Sequence, residues 1–393
     1  MLFRCLWANP GQVYTGSLFG RAGELYAAIG QPQCALDYLQ RAITIVGQAG
    51  DRKNESQWLD RMGRVYAVLG QNQEAANCFE TALELARVIG HQGLIGSALG
   101  NLANLYLDTG NLDQAVNYLE EVLQIAREKA DRRAEATALI NLALAYRTAG
   151  DIRACVETYE HALSVARQIG DREGESSCLG GLAGVYRALG EISTAMQYAE
   201  QALNLAQTIG DIEGQMSWLN ELGIILGLLG ESDQALSCLH QALALAKGPV
   251  NSLWHQETIL GSVGNFYLRR GKIVEARSCF DEALPLAEKI EDRIGQCALL
   301  EGLATVCAET GEISQAITLY RRALEIARLI PDRDREASLL NNLGTAYLRV
   351  GDLDEALRNQ QVALAIFMDM EDGRSAGMTL GALGNTHAAR GDP

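Results

Sequence analysis

Several features are scarce or absent in this chain of 393 residues, and each absence excludes a class of protein. Only 6 prolines occur, which excludes a proline-rich linker. No uncharged apolar run reaches the roughly 18 residues that a membrane-spanning helix needs, and the apolar start is too short for a secretory signal. The 33 basic residues are outnumbered by 49 acidic ones, giving a net charge of −16. We therefore expect a cytoplasmic chain that binds neither nucleic acid nor anionic membranes.

The 9 cysteines and 5 histidines also lack the spacing of a metal or catalytic site. No two cysteines are separated by two residues, and no histidine has a second histidine at i+3 or i+4, which argues against zinc and against a disulfide framework. A phosphate-binding loop and a Gly-x-Ser-x-Gly nucleophile elbow are missing as well. The sequence thus predicts no cofactor, no metal and no enzymatic activity. The cysteines are expected to be small buried hydrophobic residues.

What the sequence does contain is an internal repeat of forty residues. In most units a small residue is followed three positions later by tyrosine, and a glycine follows four positions after that. These glycines are Gly30, Gly70, Gly110, Gly150, Gly190, Gly230, Gly271, Gly311, Gly351 and Gly391. The period is interrupted by one extra residue between Gly230 and Gly271.

Each unit is predicted to form two amphipathic helices. Leu99, Leu102, Ala103 and Tyr106 fall at i, i+3, i+4 and i+7, which is one face of a helix. The repeated glycine supplies the positive φ that ends this first helix. Because one hairpin cannot bury its apolar face alone, neighbouring hairpins must stack.

The starts of the helices are marked by capping residues. Asn111 with Gln114, and Asp352 with Glu355, fit capping boxes that begin second helices. An aspartate precedes most first helices, where it accepts backbone N–H bonds and complements the helix dipole. These aspartates are Asp51, Asp131, Asp171, Asp211, Asp292, Asp332 and Asp372.

The predicted fold is an all-α, right-handed superhelical solenoid of nineteen helices, forming one array over residues 1–393. The repeats cover about 12–50, 51–90, 91–130, 131–170, 171–210, 211–250, 251–291, 292–331 and 332–371, with a half repeat at 372–393. Leu380 and Leu383 of the last helix would then lack a partner, which favours a fragment of a longer protein. The extra residue, Gly248-Pro249 and Pro285 predict a hinge at 247–290.

The repeated residues resemble the tetratricopeptide repeat, which has leucine, a small residue, tyrosine, glycine and two alanines at these offsets. The forty-residue period and the pattern Gly-Asp-Arg-x-x-Glu…Leu-x-x-Leu-Gly-x-x-Tyr are similar to a subclass in Pins/LGN-type adaptors and in the sensor arrays of STAND-type ATPases. One departure is that the closing proline is absent from most units, although Pro331 stands near its place. The resemblance implies that first helices line a concave groove, where positions around the small residue contact a partner.

Those positions form a polar stripe that we predict to bind a peptide or helix of a partner protein. Asparagine can hold an extended backbone without selecting side chains, and arginine matches carboxylates, so an acidic or amide-rich segment is expected. The residues are Asn101, Asn104, Asn141, Arg147, Arg187, Asn220, Asn265, Arg269, Asn341, Asn342 and Arg349. Among them, Asn101, Asn104 and Asn141 are predicted to hold the backbone, and Arg147 and Arg187 its carboxylates.

Three other functions remain open from the sequence. The array could be the partner- or ligand-sensing part of a larger signalling ATPase or transcription activator, which an upstream nucleotide-binding region would indicate. It could be a helical-repeat reader of RNA, although such readers need a basic groove. An enzyme is the weakest alternative, because the carboxylates lie at helix starts or on solvated faces.

Overall fold

The computed structural model describes residues 10–330, 332–370 and 372–391, with side chains from residue 14 onward. Cys5, Pro331 and the first and last few residues of the predicted array lie outside these residues. The chain divides into two compact units, residues 1–181 and 182–393. None of the helices in the described part is long and apolar enough to cross a membrane.

The described residues form nineteen helices, as predicted, and no strand. In the first unit they are α1 (Pro10–Ala28), α2 (Pro32–Gln48), α3 (Arg52–Val68), α4 (Asn72–Val88), α5 (Gln92–Asp108), α6 (Leu112–Glu128), α7 (Arg132–Ala149) and α8 (Ile152–Ile169). The unit boundary falls within α9 (Arg172–Ala188). The second unit continues with α10 (Ile192–Ile209), α11 (Ile212–Leu229), α12 (Ser232–Ala246), α13 (Leu253–Arg269), α14 (Ile273–Lys289), α15 (Arg293–Glu309), α16 (Ile313–Ala327), α17 (Arg333–Val350), α18 (Leu353–Asp369) and α19 (Gly373–Arg390).

The turns follow the repeated glycines. All ten predicted glycines have positive φ, between 69° and 87°, because only glycine adopts this conformation without a steric cost. Asn251 (φ 43°), Ala130 (φ 53°) and Glu291 (φ 57°) are the described non-glycine residues with positive φ. They stand at the end of second helices, where other repeats have a glycine such as Gly170 or Gly210.

The capping predictions are confirmed at the aspartates. Asp51, Asp131, Asp171, Asp211, Asp292, Asp332 and Asp372 each accept a backbone N–H of the helix that follows. Asp352 does the same at α18. The capping box at Asn111 is wrong, since its side chain makes no capping bond. A neutral amide gains less than a carboxylate from the positive end of a helix dipole.

In five repeats the small residue of the first helix is a glycine that packs directly against the second helix of the same repeat. A Cβ added at Gly264 would lie 2.6 Å from the Phe280 ring, and one at Gly223 would lie 2.6 Å from Leu239. The large residues that face these glycines, Phe280 and Leu239, are almost fully buried, so each contact pairs a small residue with a large one. The predicted all-α stack of helical hairpins is confirmed within each unit.

Two expectations about buried residues need correction. Leu383 is buried at 7% exposure, although Leu380 on the same helix is 55% exposed. Helix α19 packs against α18, and Leu383 is among its buried residues. Leu380, three positions earlier, lies about 60° around the helix, at the edge of that face. Of the described cysteines, Cys34 is exposed and Cys238 and Cys279 are half-buried, while five others are buried as expected.

Within the predicted hinge, the chain departs from helical structure between α12 and α13. Residues 247–252 form a turn in which the Ser252 N–H donates to the Ala246 carbonyl at 3.1 Å. Helix α14 continues through Pro285 from Ile273 to Lys289. The hinge at 247–290 stays a prediction, to be checked by comparing its hydrogen exchange with that of residues 100–190.

Candidate partner-binding face

The predicted binding residues lie on the first helices of the repeats, α5, α7, α9, α11, α13 and α17. We call this set of helix faces the first-helix face. Its side chains divide into two groups. One group bonds to a neighbouring repeat, and the other is left without such a bond.

In the first unit, Asn101 belongs to the bonded group. Its Nδ2 donates to Asp60 Oδ1 of α3 at 2.7 Å, and Ser97 Oγ donates to the same oxygen at 3.3 Å. Asp60 is only 6% exposed, and burial raises the pKa of its carboxyl, an effect that the Asn101 bond and the charge of Arg61 oppose. Asn101 therefore stabilises a buried carboxylate between repeats.

The second unit contains the same arrangement, again between two residues that are 41 positions apart in the sequence. Asn342 Nδ2 donates to Glu301 Oε1 at 3.2 Å. Burial raises the pKa of the Glu301 carboxyl, and the charge of Arg335 and the Asn342 bond lower it. The two pairs join the same two repeat positions, so they are one structural device used twice.

Two predicted arginines are bonded in the same way. Arg187 Nε donates to the Glu221 carboxylate of α11. Arg349 donates to the Ala308 carbonyl at the end of α15, at 2.6 Å. That carbonyl lies in the last turn of α15 and also accepts the Gly311 N–H at 3.3 Å, so the guanidinium uses its second lone pair.

The remaining residues of the stripe are available or only partly satisfied. Asn104, Arg147, Asn265 and Arg269 are exposed, and Arg147 forms no ion pair with a described residue. Partial desolvation of its guanidinium and the charge of Arg187 nevertheless lower the pKa of Arg269.

Asn141 is half-buried, and two further asparagines carry unsatisfied atoms. The Oδ1 atoms of Asn220 and Asn341 are buried without a hydrogen-bond partner. They occupy the repeat position of Asp60 and Glu301, but the next repeat offers them Ser262 and Ala382 rather than an asparagine. A buried oxygen without a donor costs about 1–3 kcal/mol. Each of these atoms has less than 1 Å² of accessible surface, so the cost falls on the packing between repeats.

The structure also contains a cleft that the sequence prediction did not include. It has a volume of about 530 Å³ and lies between α5 and α7 with α6 beneath them. Asn141 is among the residues that line it. The signal in the sequence is the bare helix face of Gly93, Gly96 and Gly100, at i, i+3 and i+7.

Among the described residues, no three His, Cys, Asp or Glu side chains come together as a set of metal ligands. The buried thiols are not activated either. Burial raises the pKa of Cys78 and Cys297 to about 11 and that of Cys178 to about 12. Thiolates are therefore scarce at neutral pH, which is unfavourable for nucleophilic chemistry.

Comparison with solved structures supports this fold, at identities too low to show more. A STAND protein (Signal Transduction ATPase with Numerous Domains) with a tetratricopeptide repeat sensor, from Pyrococcus horikoshii, is 16% identical with a TM-score of 0.55. The match covers 84% of this chain and 50% of that one. Aspartyl phosphate phosphatase F from Bacillus subtilis is 15% identical with a TM-score of 0.56, over 72% of this chain and 73% of that one.

A Rap protein complexed with Competence and Sporulation Factor is 16% identical with a TM-score of 0.53, over 86% of this chain and 97% of that one. No curated protein matches this chain in sequence. The tetratricopeptide repeat family does match, at residues 14–88, 54–128, 94–154, 134–208, 255–329 and 295–369. These matches extend over more than half of the sequence and coincide with the helical hairpins, so the chain belongs to the tetratricopeptide repeat family.

Proposed function

We propose that this chain is a non-catalytic, cytosolic interaction module that binds a peptide or helix of a partner protein on its first-helix face. The observation that carries the proposal is the free arginine of α7. Arg147 is exposed and forms no ion pair with a described residue, in a chain whose net charge is −16. A local positive charge in an acidic protein attracts an anionic segment.

Neighbouring side chains complement this arginine. Asn104 of α5 is exposed and Asn141 of α7 is half-buried, and an amide can donate to and accept from an extended backbone. Asn101 and Arg187, which the sequence also assigned to this site, already bond to Asp60 and Glu221. They would contribute only if those bonds open. Arg147 is therefore the more informative residue to change.

The absence of catalysis is part of the proposal. Its support is the raised pKa of the buried thiols of Cys78, Cys178 and Cys297. The acidic side chains that accept two guanidiniums, Glu135 and Glu175, are held in ion pairs at the helix starts. The similarity to a phosphatase, at 15% identity, indicates a shared fold and does not indicate a shared reaction.

The test is a pull-down with the intact chain from lysate of its source, followed by mass spectrometry and an affinity measurement on the captured partner. Arg147→Ala should weaken binding by about ten- to a hundredfold, since a desolvated charge-assisted hydrogen bond is worth roughly 1.5–3 kcal/mol. Arg153→Ala, in the second helix of the same repeat and 90% exposed, is the matched control. Equal affinity of Arg147→Ala and wild type would place the site elsewhere.

A second candidate is the sensing domain of a larger signalling protein. The likeness to a STAND protein whose other half this chain does not span favours it. A nucleotide-binding region encoded upstream in the full-length gene would support this candidate. Its absence from the full-length gene would exclude it.

A further inference from the structure

The cleft between α5 and α7 exists because one repeat lacks side chains that other repeats have. The position of Gly96 is held by Met216 in another repeat, and the position of Gly100 by Ile140. A Cβ added at Gly96 or Gly100 would meet no atom within 4 Å. Three glycines thus leave open a space that a side chain occupies elsewhere in the array.

The floor of the cleft is apolar. Leu119, Ala126 and Ala138 line it and are almost fully buried, while Val122 and Ile125 add partly buried aliphatic surface from α6. A volume of about 530 Å³ lies in the range of pockets that enclose a drug-sized ligand, so it has room for a large apolar side chain and part of the segment that carries it. Burial of a large apolar side chain in such a pocket is the usual source of binding energy at a protein interface.

The rim of the cleft is cationic. Of four cations near the α6–α7 turn, Arg127 and Arg132 share an ion pair with one carboxylate, that of Glu135, at 3.0 Å and 2.8 Å. Lys129 and Arg133 line the cleft, are exposed, and form no ion pair with a described residue.

The acidic residue of the lining is Asp131, whose Oδ1 accepts the Ala134 N–H at 3.0 Å. The charges of Lys129 and Arg133 outweigh that of Asp131, so the three lining residues together are net positive. The rim is left with two cations that no carboxylate of the described residues neutralises in an ion pair.

We propose that this cleft binds one large apolar side chain, aromatic or branched aliphatic, of a partner protein segment, and that Lys129 and Arg133 bind an acidic side chain next to it. This inference rests on the proposed function and deepens it, because it names the anchor residue of the partner. The charge of the rim and the apolar floor together select the occupant, since an uncharged or basic segment would leave both cations without a partner. Asn141, which also lines the cleft, would bond the backbone between the two side chains.

The test fills the cleft with residues that the chain itself uses at these positions. Gly96→Met with Gly100→Ile should raise the thermal midpoint or leave it unchanged, because glycine is unfavourable within a helix. The matched control is Gly377→Met with Gly381→Ile in α19, at the same two repeat positions and with equally open space around each Cβ.

The probes are twelve-residue peptides selected from a random display library on the wild-type chain and measured by fluorescence anisotropy. Selected peptides should carry an apolar residue beside aspartate or glutamate. The filled variant should bind them at least about tenfold more weakly, as expected when an anchor loses its pocket, while the α19 control binds like wild type. Lys129→Glu with Arg133→Glu should weaken the same peptides without filling the cleft.

Other outcomes overturn the inference in distinguishable ways. If Arg147→Ala weakens the selected peptides but the filled variant does not, the proposed function stands and the cleft is not its anchor site. If no peptide is selected, both proposals fail in their peptide form. A further outcome is that the wild type binds no peptide but binds the small amphiphilic anion anilinonaphthalene sulfonate, and that the filled variant does not bind this anion. The occupant would then be a small molecule, and the proposed protein anchor would be wrong.

Discussion

Gly63 of α3 lies against the ring of Phe79 in α4, so closely that a Cβ at position 63 would be 2.6 Å from Phe79 Cε1. The next repeat has Ala103 and Leu119 at these two positions, both buried. The larger residue on one helix is thus matched by the smaller residue on the other. This compensation keeps the spacing of the two helices compatible with a tightly packed core.

We therefore expect Gly63→Ala to lower the free energy of unfolding by about 1–3 kcal/mol, the usual cost of overpacking. Gly63→Ala with Phe79→Leu, which recreates the Ala103–Leu119 pair, should recover most of that loss. Urea unfolding of the three proteins measures both effects. If Gly63→Ala alone were as stable as the wild type, α3 and α4 could move apart without loss of free energy of unfolding.

Glu175, in the first turn of α9, predicts that the free energy of unfolding falls at acidic pH. Burial alone would raise the pKa of Glu175, but hydrogen bonds from Arg167 and Arg172, both at 2.8 Å, lower it. Because the folded-state pKa lies below the unfolded value near 4.5, this stabilisation is present above that pH. It is lost as the pH falls through the folded-state pKa.

Glu175→Gln should lower the free energy of unfolding at pH 7 by about 1–3 kcal/mol and have little effect at the lowest pH. Other repeats have glutamine at the position of Glu175. There Gln215 and Gln296 donate to the carbonyls of Ala206 and Ala287. Glu175→Gln with Arg167→Gln recreates the Gln207–Gln215 set, so it should be more stable than Glu175→Gln alone.

Glu257 of α13 predicts the opposite pH dependence. It is 4% exposed, and burial together with the charge of Asp292 raises the pKa of its carboxyl to about 7, although a bond from Thr258 opposes this. The native state then holds more protons than the unfolded state between pH 4.5 and 7. Its contribution to stability is complete below pH 4.5 and is lost as the pH rises to 7.

Glu257→Gln should therefore raise the free energy of unfolding at pH 8, by at most about 3 kcal/mol for this difference in pKa. The gain should disappear below pH 4.5. Denaturant titrations at several pH values test this, and Glu336→Gln, at an ion-paired glutamate, is the control that should not gain. A constant difference at all pH values would show that Glu257 does not titrate in this range.

The turn residue Ala130 predicts a gain in stability. Its φ of 53° costs an L-residue about 1–2 kcal/mol, and glycine would remove that cost while adding entropy to the unfolded chain. Ala130→Gly should raise the free energy of unfolding by up to about 1 kcal/mol. Gly170→Ala, at the same repeat position with φ of 70°, should lower it. Thermal denaturation of both variants measures the two effects.

The sequence predicts the parts of this structure that local chemistry determines. A glycine with positive φ and an aspartate at a helix start each act within a few residues, so Gly150 and Asp131 could be assigned without coordinates. The bonds of Asn101 and Arg187 join residues that are 41 and 34 positions apart. Whether such side chains face a partner or the next repeat depends on how hairpins stack, which the repeat pattern leaves undetermined.

The cleft was missed for a related reason. A glycine contributes no side chain to a list of candidate binding residues, so the sequence prediction did not include Gly93, Gly96 and Gly100. Their meaning emerges by comparison with the same positions in other repeats, which hold residues such as Ile140 and Met216. In a repeat protein, each unit is therefore the best reference for what another unit lacks.

The bond from Asn342 to Glu301 has a consequence for how the chain folds. Similar hairpins can stack in the wrong order when one of them is passed over, a characteristic error of repeat proteins. Passing over the ninth repeat would place Ala382 where Asn342 stands and Ser375 where Arg335 stands. Glu301, which is half-buried, would then lose its donor and its cation, at a cost of about 1–3 kcal/mol. This carboxylate thus favours stacking of the correct neighbouring repeat over the next one along the chain.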